Sequence, residues 1–571
     1  MSRSFSFIAT VIIISSVIVG GAVGNRARSF LTANDKQGAI GGIEDAYREA
    51  LSIVSANYAD EIDYEKANQA AIQGMLSTLD PHSTFFTRAE FERLREDQDS
   101  RFYGIGVTIL RHRDGVYVQS PVEGTPAARA GLRYGDRIVE VDGKDARDWS
   151  GEQVSKNVRG DLGEKVTLKV ERVGSSAPLY FTIVRAAVPL PSIRTAFIIR
   201  PGTGYIALTG GFTHTSSDEL RQAISDLEKQ GMRQLVLDLR NNPGGLLDES
   251  IKVAGQFLPA GQAIVSVRGR EYGEPVVYKN TEDDGVNFPL LLLVNRNTAS
   301  ASEIVAGAIQ DHGRGLIVGE TTFGKGLVQR VFQLPFGSGL TLTTAKYYTP
   351  YGRLIQRDYS NGSLYDYYVR HDAESEPQPE HTAAPTLPAQ PHSAPTVPTP
   401  EPTPTPHPTG TPIKTAAGRI FYGGGGITPD IEVKPYDLSG PVRARIFEEA
   451  FQFTRVLAAG QIPGLESYRI DRPQYNQTPR PTDFPITDRV LDAFRNYVRR
   501  DAESGLTLAQ VNADLDFVRI RLRAEIITAA FDSEAGARTL LDSDPQLLRA
   551  LDAFPDAKRL AERARASESL G

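Results

Sequence analysis

PLLLLVNRNTASASEIVAGAIQD, residues 289–311, begins with a run of aliphatic side chains and passes within a few residues into apolar positions at helical spacing. An unbroken aliphatic run suits a strand covered on both faces, and the change of period marks the turn into a helix. Ser300 and Glu303 fit the S/T-x-x-E capping box, which satisfies free amides at a helix start. Two serines, Ser300 and Ser302, thus stand at a strand–helix junction. A serine there is either a cap or a nucleophile, and local sequence does not decide between them.

Working outward, the same alternation fills residues 190–355. GYIALTGG (204–211) reads as a strand, SSDELRQAISDLEKQG (216–231) as a capped amphipathic helix and QLVLDLR (234–240) as a buried strand. NNPGG (241–245) is a turn, LLDESIKVAGQFL (246–258) a helix and GLIVGE (315–320) a further strand. The pattern predicts an α/β core with largely parallel strands and an active site at the strand ends.

The chain of 571 residues exceeds what one core holds, so several domains are expected. Its 40% hydrophobic and 23% charged residues are ordinary for a soluble protein. A net charge of −7 without a long basic run argues against nucleic acid as a partner. The absence of cysteine excludes a thiol nucleophile, disulfides, thiolate metal sites and a lipidated cysteine anchor. Residues 1–24 read as a signal peptide or membrane anchor, because FIATVIIISSVIVGGAVG (7–24) is uncharged and follows Arg3. The remainder is then expected in the periplasm or cell envelope, secreted or tethered.

Residues 25–100 form an N-terminal region with helical periodicity, broken by DPHS at 80–83, where His82 reads as a turn residue. Residues 101–186 read as a small β-rich module: GVTILRHRDGVYVQSP holds two strands about an Asp114-Gly115 turn, and alternating strands follow. With YGIGV at 103–107 ahead of the first strand, this order resembles a PDZ domain. In such a domain Gly104, Ile105, Gly106 and Val107 would offer backbone amides to a peptide's terminal carboxylate, and the next strand would pair with the peptide. Residues 372–412 carry a proline every two or three positions and read as a Pro/Thr-rich disordered insertion. They interrupt a core assigned to 187–371 and 413–436, away from the candidate chemical residues. Residues 437–571 read as a C-terminal helical region.

Lys325 lies in GETTFGKGLVQ, which matches the first part of a phosphate-binding loop. The next residue is Gly326 instead of serine or threonine, and an alternating, strand-like LVQRVFQL follows in place of a helix, so a nucleotide site is rejected. A buried lysine can instead serve as a base for a serine, since burial lowers its pKa. None of the eight histidines has a triad-like context, and His381, His392 and His407 fall in the insertion. A surface lysine in a glycine turn is the plainer reading of Lys325 taken alone.

DPHS, YGIG, LDLRNNPGG, NRNTASASEI, GETTFGKGLVQ and GITPD occur in that order. On these motifs the chain closely resembles the C-terminal processing peptidases (tail-specific proteases, serine peptidase family S41), over roughly residues 40–355 and 415–435. The resemblance implies a multidomain fold: an α/β protease core of crotonase/ClpP-like type, an inserted PDZ domain, and helical N- and C-terminal regions. It makes Ser300 the nucleophile, Lys325 the general base and Gln329 the partner of the lysine, while Ser302 stays a helix residue. A spacing of four along a strand would place Lys325 and Gln329 on one face. The oxyanion hole falls to the amides of Ala301 and Gly245, with Gly244 as the neighbouring choice. Expected substrates are proteins or peptides with free, disordered C-termini; no cofactor or metal is expected, and a homo-oligomer or an adaptor protein stays open. Two other readings are a PDZ-based peptide-binding adaptor with an inactive core, and an acyl-transforming enzyme of the crotonase type.

Overall fold

The five residues Leu290–Val294 are all buried, as a strand covered on both faces must be. In the computed structural model they lie inside a six-stranded sheet. The structure describes residues 40–282, 285–359, 412–415, 418–436, 440–475, 477–501 and 503–568. The expected leader, 1–24, and nearly all of the insertion, 372–412, lie outside the described residues. Among those described, no helix is long and apolar enough to cross a membrane.

The chain divides into two units, Met1–Thr78 and Leu79–Gly571. In the first, a helix over 40–57 precedes Tyr64–Ser77, whose start is capped by the Asp63 carboxylate accepting from Lys66 N at 3.0 Å.

In the second unit the central sheet runs Ile193–Arg200, Thr203–Leu208, Gln234–Asp238, Leu290–Val294, Leu316–Gly319 and Ile431–Glu432, spatial order following chain order. The first pair is antiparallel and every later pair parallel. Helices Ser216–Lys229, Leu247–Gly255 and Ala301–Asp311 contribute Leu220, Ile224, Val253, Val305 and Ile309 to the core on one face. The other face is covered from far along the chain: Leu547, Ala550, Phe554 and Ala557 pack on Tyr205, Val236, Leu291, Leu293 and Val318. The last two helices, Pro545–Asp552 and Phe554–Glu568, therefore complete the α/β sandwich. The preceding helices from Pro441 to Ala530 have a core of their own, around Phe453, Phe494, Val518 and Ile526.

The module at 101–186 is a sheet with Val107–His112 at its edge and the helix Gly151–Val158 beside that strand. The chain enters and leaves it through a two-stranded ribbon, Arg101–Gly104 against Ala186–Pro189. On the helix Pro441–Ala458, Phe451 stacks on His112 with ring centroids 3.6 Å apart. Beside it His112 Nδ1 lies 2.7 Å from Glu448 and Arg113 donates to Glu449 at 2.9 Å. A second, smaller sheet joins Thr84–Phe86, Gly339–Tyr348, Ala263–Arg268 and Val276–Lys279, with Leu327–Gln333 also on Gly339–Tyr348.

Candidate active site

The strand Leu290–Val294 ends in a loop whose polar side chains bind it to the neighbouring strand end. Thr298 Oγ1 donates to Leu239 O at 2.9 Å, and Ala299 N donates to Asn242 O at 3.0 Å. Ser300 then stands immediately before the helix Ala301–Asp311 with φ 57° and ψ −117°. For a residue with a Cβ this conformation costs about 1–3 kcal/mol and persists only where surrounding contacts impose it. A strained serine at a strand-to-helix turn is a recurrent placement for an exposed nucleophile.

The imposing contacts come largely from Glu303, whose carboxylate is fully buried. It accepts from Ser300 N at 2.8 Å, which is the glutamate half of the expected capping box. It also accepts from Lys325 N at 2.9 Å, Gly324 N at 2.7 Å and Thr322 Oγ1 at 2.5 Å. One carboxylate thus ties the serine turn to the lysine loop. Burial raises its pKa, against the lowering effect of the four donors. Tyr347 adds a second tie, its hydroxyl reaching the carbonyl oxygens of both Ser300 and Lys325.

Lys325 is held in a crowded loop. A Cβ on Gly324 (φ 87°) would come within 3.1 Å of Gly426 N, and one on Gly326 within 2.8 Å of Gln356 N. Both contacts belong to the flanks of the insertion. Arg357 N donates to Gly324 O at 2.9 Å, and Ile427 N donates to Thr322 Oγ1 at 2.7 Å. The chain on both sides of the expected insertion is therefore hydrogen-bonded to the lysine loop, while residues 372–411 themselves lie outside the described residues.

Burial lowers the pKa of the Lys325 ammonium below its ordinary value, with Glu303 and Asp80 acting in the opposite sense. Its Nζ donates to Gln329 Oε1 at 2.8 Å. The reason is not the expected one, since Lys325 precedes the strand Leu327–Gln333 and the pairing slips between Val328 and Gln329. A loop and a bulge bring the two side chains together, and regular alternation does not.

Of the two glycines considered for the oxyanion hole, Gly244 abuts the serine: its added Cβ would lie 2.7 Å from Ser300 Cβ and 2.9 Å from Ala301 N. Its own amide donates to Asn242 Oδ1 at 2.9 Å. Gly245 follows at φ 146°, where a Cβ would strike Phe212 O at 2.2 Å, so only glycine fits. Ser302 points elsewhere, donating to Asn242 O at 3.1 Å. In the module at 101–186, Ile105 is buried, Thr125 Oγ1 donates to Gly106 O at 2.9 Å and Val107 opens the edge strand. Among the described residues no group of three or more His, Asp or Glu could hold a metal.

Sequence reasoning missed one participant. DPHS was read as a turn, and it is one; yet His82 presents its carbonyl oxygen to Gln329 Nε2. The ring of His82 has its pKa pushed down to about 4, first by burial and then by Lys325. The signal available was the motif's place among those carrying the family resemblance.

A strained serine and a buried lysine are thus tied to one carboxylate, and the lysine's amine meets Gln329. Comparison with known proteins gives the class. Residues 202–369 match the model of peptidase family S41, and 117–172 that of the PDZ domain. A carboxy-terminal-processing protease of Bartonella bacilliformis is 36% identical over 355 residues, 61% of this chain and 79% of the relative. The carboxy-terminal processing protease CtpB of Bacillus subtilis is 33% identical over 316 residues, 55% of this chain and 65% of the relative. Among solved structures, a photosystem II D1 C-terminal processing protease is 34% identical, over 53% of this chain and 82% of its own, with a TM-score of 0.32. The chain belongs to the C-terminal processing serine peptidases of family S41, and it carries a PDZ domain.

Proposed function

We propose that Ser300 and Lys325 form the catalytic dyad of a peptidase that cuts proteins at or near their C-terminal tails. The observation that carries the reading is the Glu303 carboxylate, which binds the amides of Ser300 and Lys325 at once. The neutral Lys325 amine takes the Ser300 Oγ proton as Oγ bonds to the scissile carbonyl carbon. Negative charge on the carbonyl oxygen is met by the amides of Ala301 and Gly245, each able to supply several kcal/mol as a fixed dipole (about 3 per donor). The Lys325 ammonium then gives its proton to the leaving amine, and water repeats the sequence on the ester. Gln329 orients the amine throughout.

The substrate tail docks by its carboxylate on the amides of Gly104, Ile105, Gly106 and Val107 and extends the edge strand Val107–His112. The proposed domains are those read from sequence: 25–100, 101–186, a crotonase/ClpP-like core at 187–371 with 413–436, and 437–571. Residues 1–24 export or anchor the protein, placing it in the cell envelope. Ile43, Tyr47, Val54 and Tyr58, exposed at 44–70%, support a second copy as the cover of the N-terminal unit, which sedimentation would test.

The test is cleavage of an unstructured protein ending in apolar residues by the full chain, with fragments read by mass spectrometry. Cleavage near the end, suppressed when the terminal carboxylate is amidated, supports the reading. Binding without cleavage would favour the adaptor.

A further inference from the structure

Gln329 can orient Lys325 in two ways, and only one leaves the lysine usable. With Oε1 toward Nζ, the neutral amine donates one hydrogen and keeps its lone pair for the serine proton. With the amide turned over, the NH₂ group would donate to that lone pair and block it. The difference is decided by what faces the other end of the amide. That group is His82 O, a carbonyl that only accepts, so Nε2 must point to it and Oε1 to Lys325.

The carbonyl is itself held. Asp80 Oδ1 accepts from His82 N at 2.8 Å and Ser83 N at 2.9 Å, and Asp80 Oδ2 accepts from Ser83 Oγ at 2.7 Å. Ser83 Oγ also accepts from Thr343 N at 3.2 Å, and Thr343 is the register partner of Gln329. Thr84–Phe86 continues onto the same strand, Gly339–Tyr348. Asp80 and Ser83 are both buried, so this turn has little freedom.

We infer that Asp80 is a positioning residue of the catalytic site, setting the orientation of the Gln329 amide through the carbonyl of His82 and thereby keeping the Lys325 amine free to accept a proton. The inference rests on the serine–lysine reading. Asp80 has a second, separable effect, because its charge reaches the lysine. The groups facing Lys325 are Glu303, Asp80 and His82, with Arg357 acting on His82 in turn.

Peptide cleavage by full-chain variants separates the two effects. Asp80→Ala is expected to lower kcat about 10–100-fold with KM little changed, as loss of an outer support typically does. In a Gln329→Ala background the same substitution should add no further loss, since both act through one amide. Asp80→Asn keeps the turn, with Oδ1 on the two amides and Nδ2 toward Ser83 Oγ. It should retain kcat within about threefold while moving the acid limb of the pH–rate profile to lower pH, because a charge that favours the ammonium is gone. If Asp80→Ala does not fold, Ser83→Ala carries the cycle, with a loss of about fivefold that vanishes without Gln329. Wild-type kcat in Asp80→Ala, or losses that multiply with Gln329→Ala, would overturn the inference. Activity surviving Lys325→Ala would instead overturn the dyad on which it rests.

Discussion

Ser300 stores strain, and that strain can be measured apart from chemistry. Ser300→Gly and Ser300→Ala should both be inactive, but glycine relieves a φ of 57° that alanine must still bear. Thermal unfolding should find Ser300→Gly at least as stable as Ser300→Ala, although glycine ordinarily costs about 0.5–1 kcal/mol. Lys325 gives a prediction with a sign. Its folded pKa lies below the ordinary 10.5, so between the two values the unfolded chain holds the extra proton and stability rises with pH. Activity rises through the folded pKa in the same direction, since the neutral amine is the base. Lys325→Met should lose about 10²–10⁴-fold in kcat yet melt no lower than wild type at neutral pH, because an apolar side chain of similar length replaces a buried, desolvated amine. Glu303→Gln puts an NH₂ group among four donors, and denaturation should find it less stable by about 1–3 kcal/mol, with activity falling as well. Ser300, Lys325 and Gln329 were put forward by a run of motifs, and the structure ties the first two through Glu303 and joins the lysine to the glutamine. Glu303 was legible only as a local cap; its bonds to residues 322–325 close across the fold, where periodicity is silent.

At the scale of elements, the helix Pro441–Ala458 docks the PDZ module through Phe451, which is fully buried against His112, Tyr117 and Tyr134. Phe451→Ala should destabilise this contact by about 3–5 kcal/mol. Limited proteolysis would then cut the ribbon at 101–104 or 186–189 sooner than in wild type, and equal rates would contradict the docking. The strands and helices of the core were readable from their periods. The route by which Lys325 meets Gln329 was not, because a slip in strand pairing leaves no mark in the sequence. The contacts of Arg357 with Gly324 and of Ile427 with Thr322 left no mark either, because they depend on the return path of the chain, which composition does not encode.

At the scale of the whole molecule, the protein closes its catalytic sheet with its own last helices. A chain ending at Ser543 would expose Tyr205, Val236, Leu291, Leu293 and Val318, and it should be recovered as insoluble or aggregated protein, as judged by gel filtration. Arg240, just after the buried strand, ties the two parts by donating to Asp238 at 2.7 Å and Asp544 at 2.5 Å. The C-terminal region showed helical periodicity but nothing to say that part of it covers the sheet, since an apolar stripe does not name its partner.

The most direct measurement is to label the full chain with a serine-reactive fluorophosphonate across a pH series and map the adduct by mass spectrometry. The account predicts one adduct on Ser300, forming faster as pH rises through the depressed lysine pKa, and slowed by orders of magnitude (about 10²–10⁴-fold) in Lys325→Ala. An adduct on Ser302, or labelling of Ser300 at the same rate without Lys325, would contradict it.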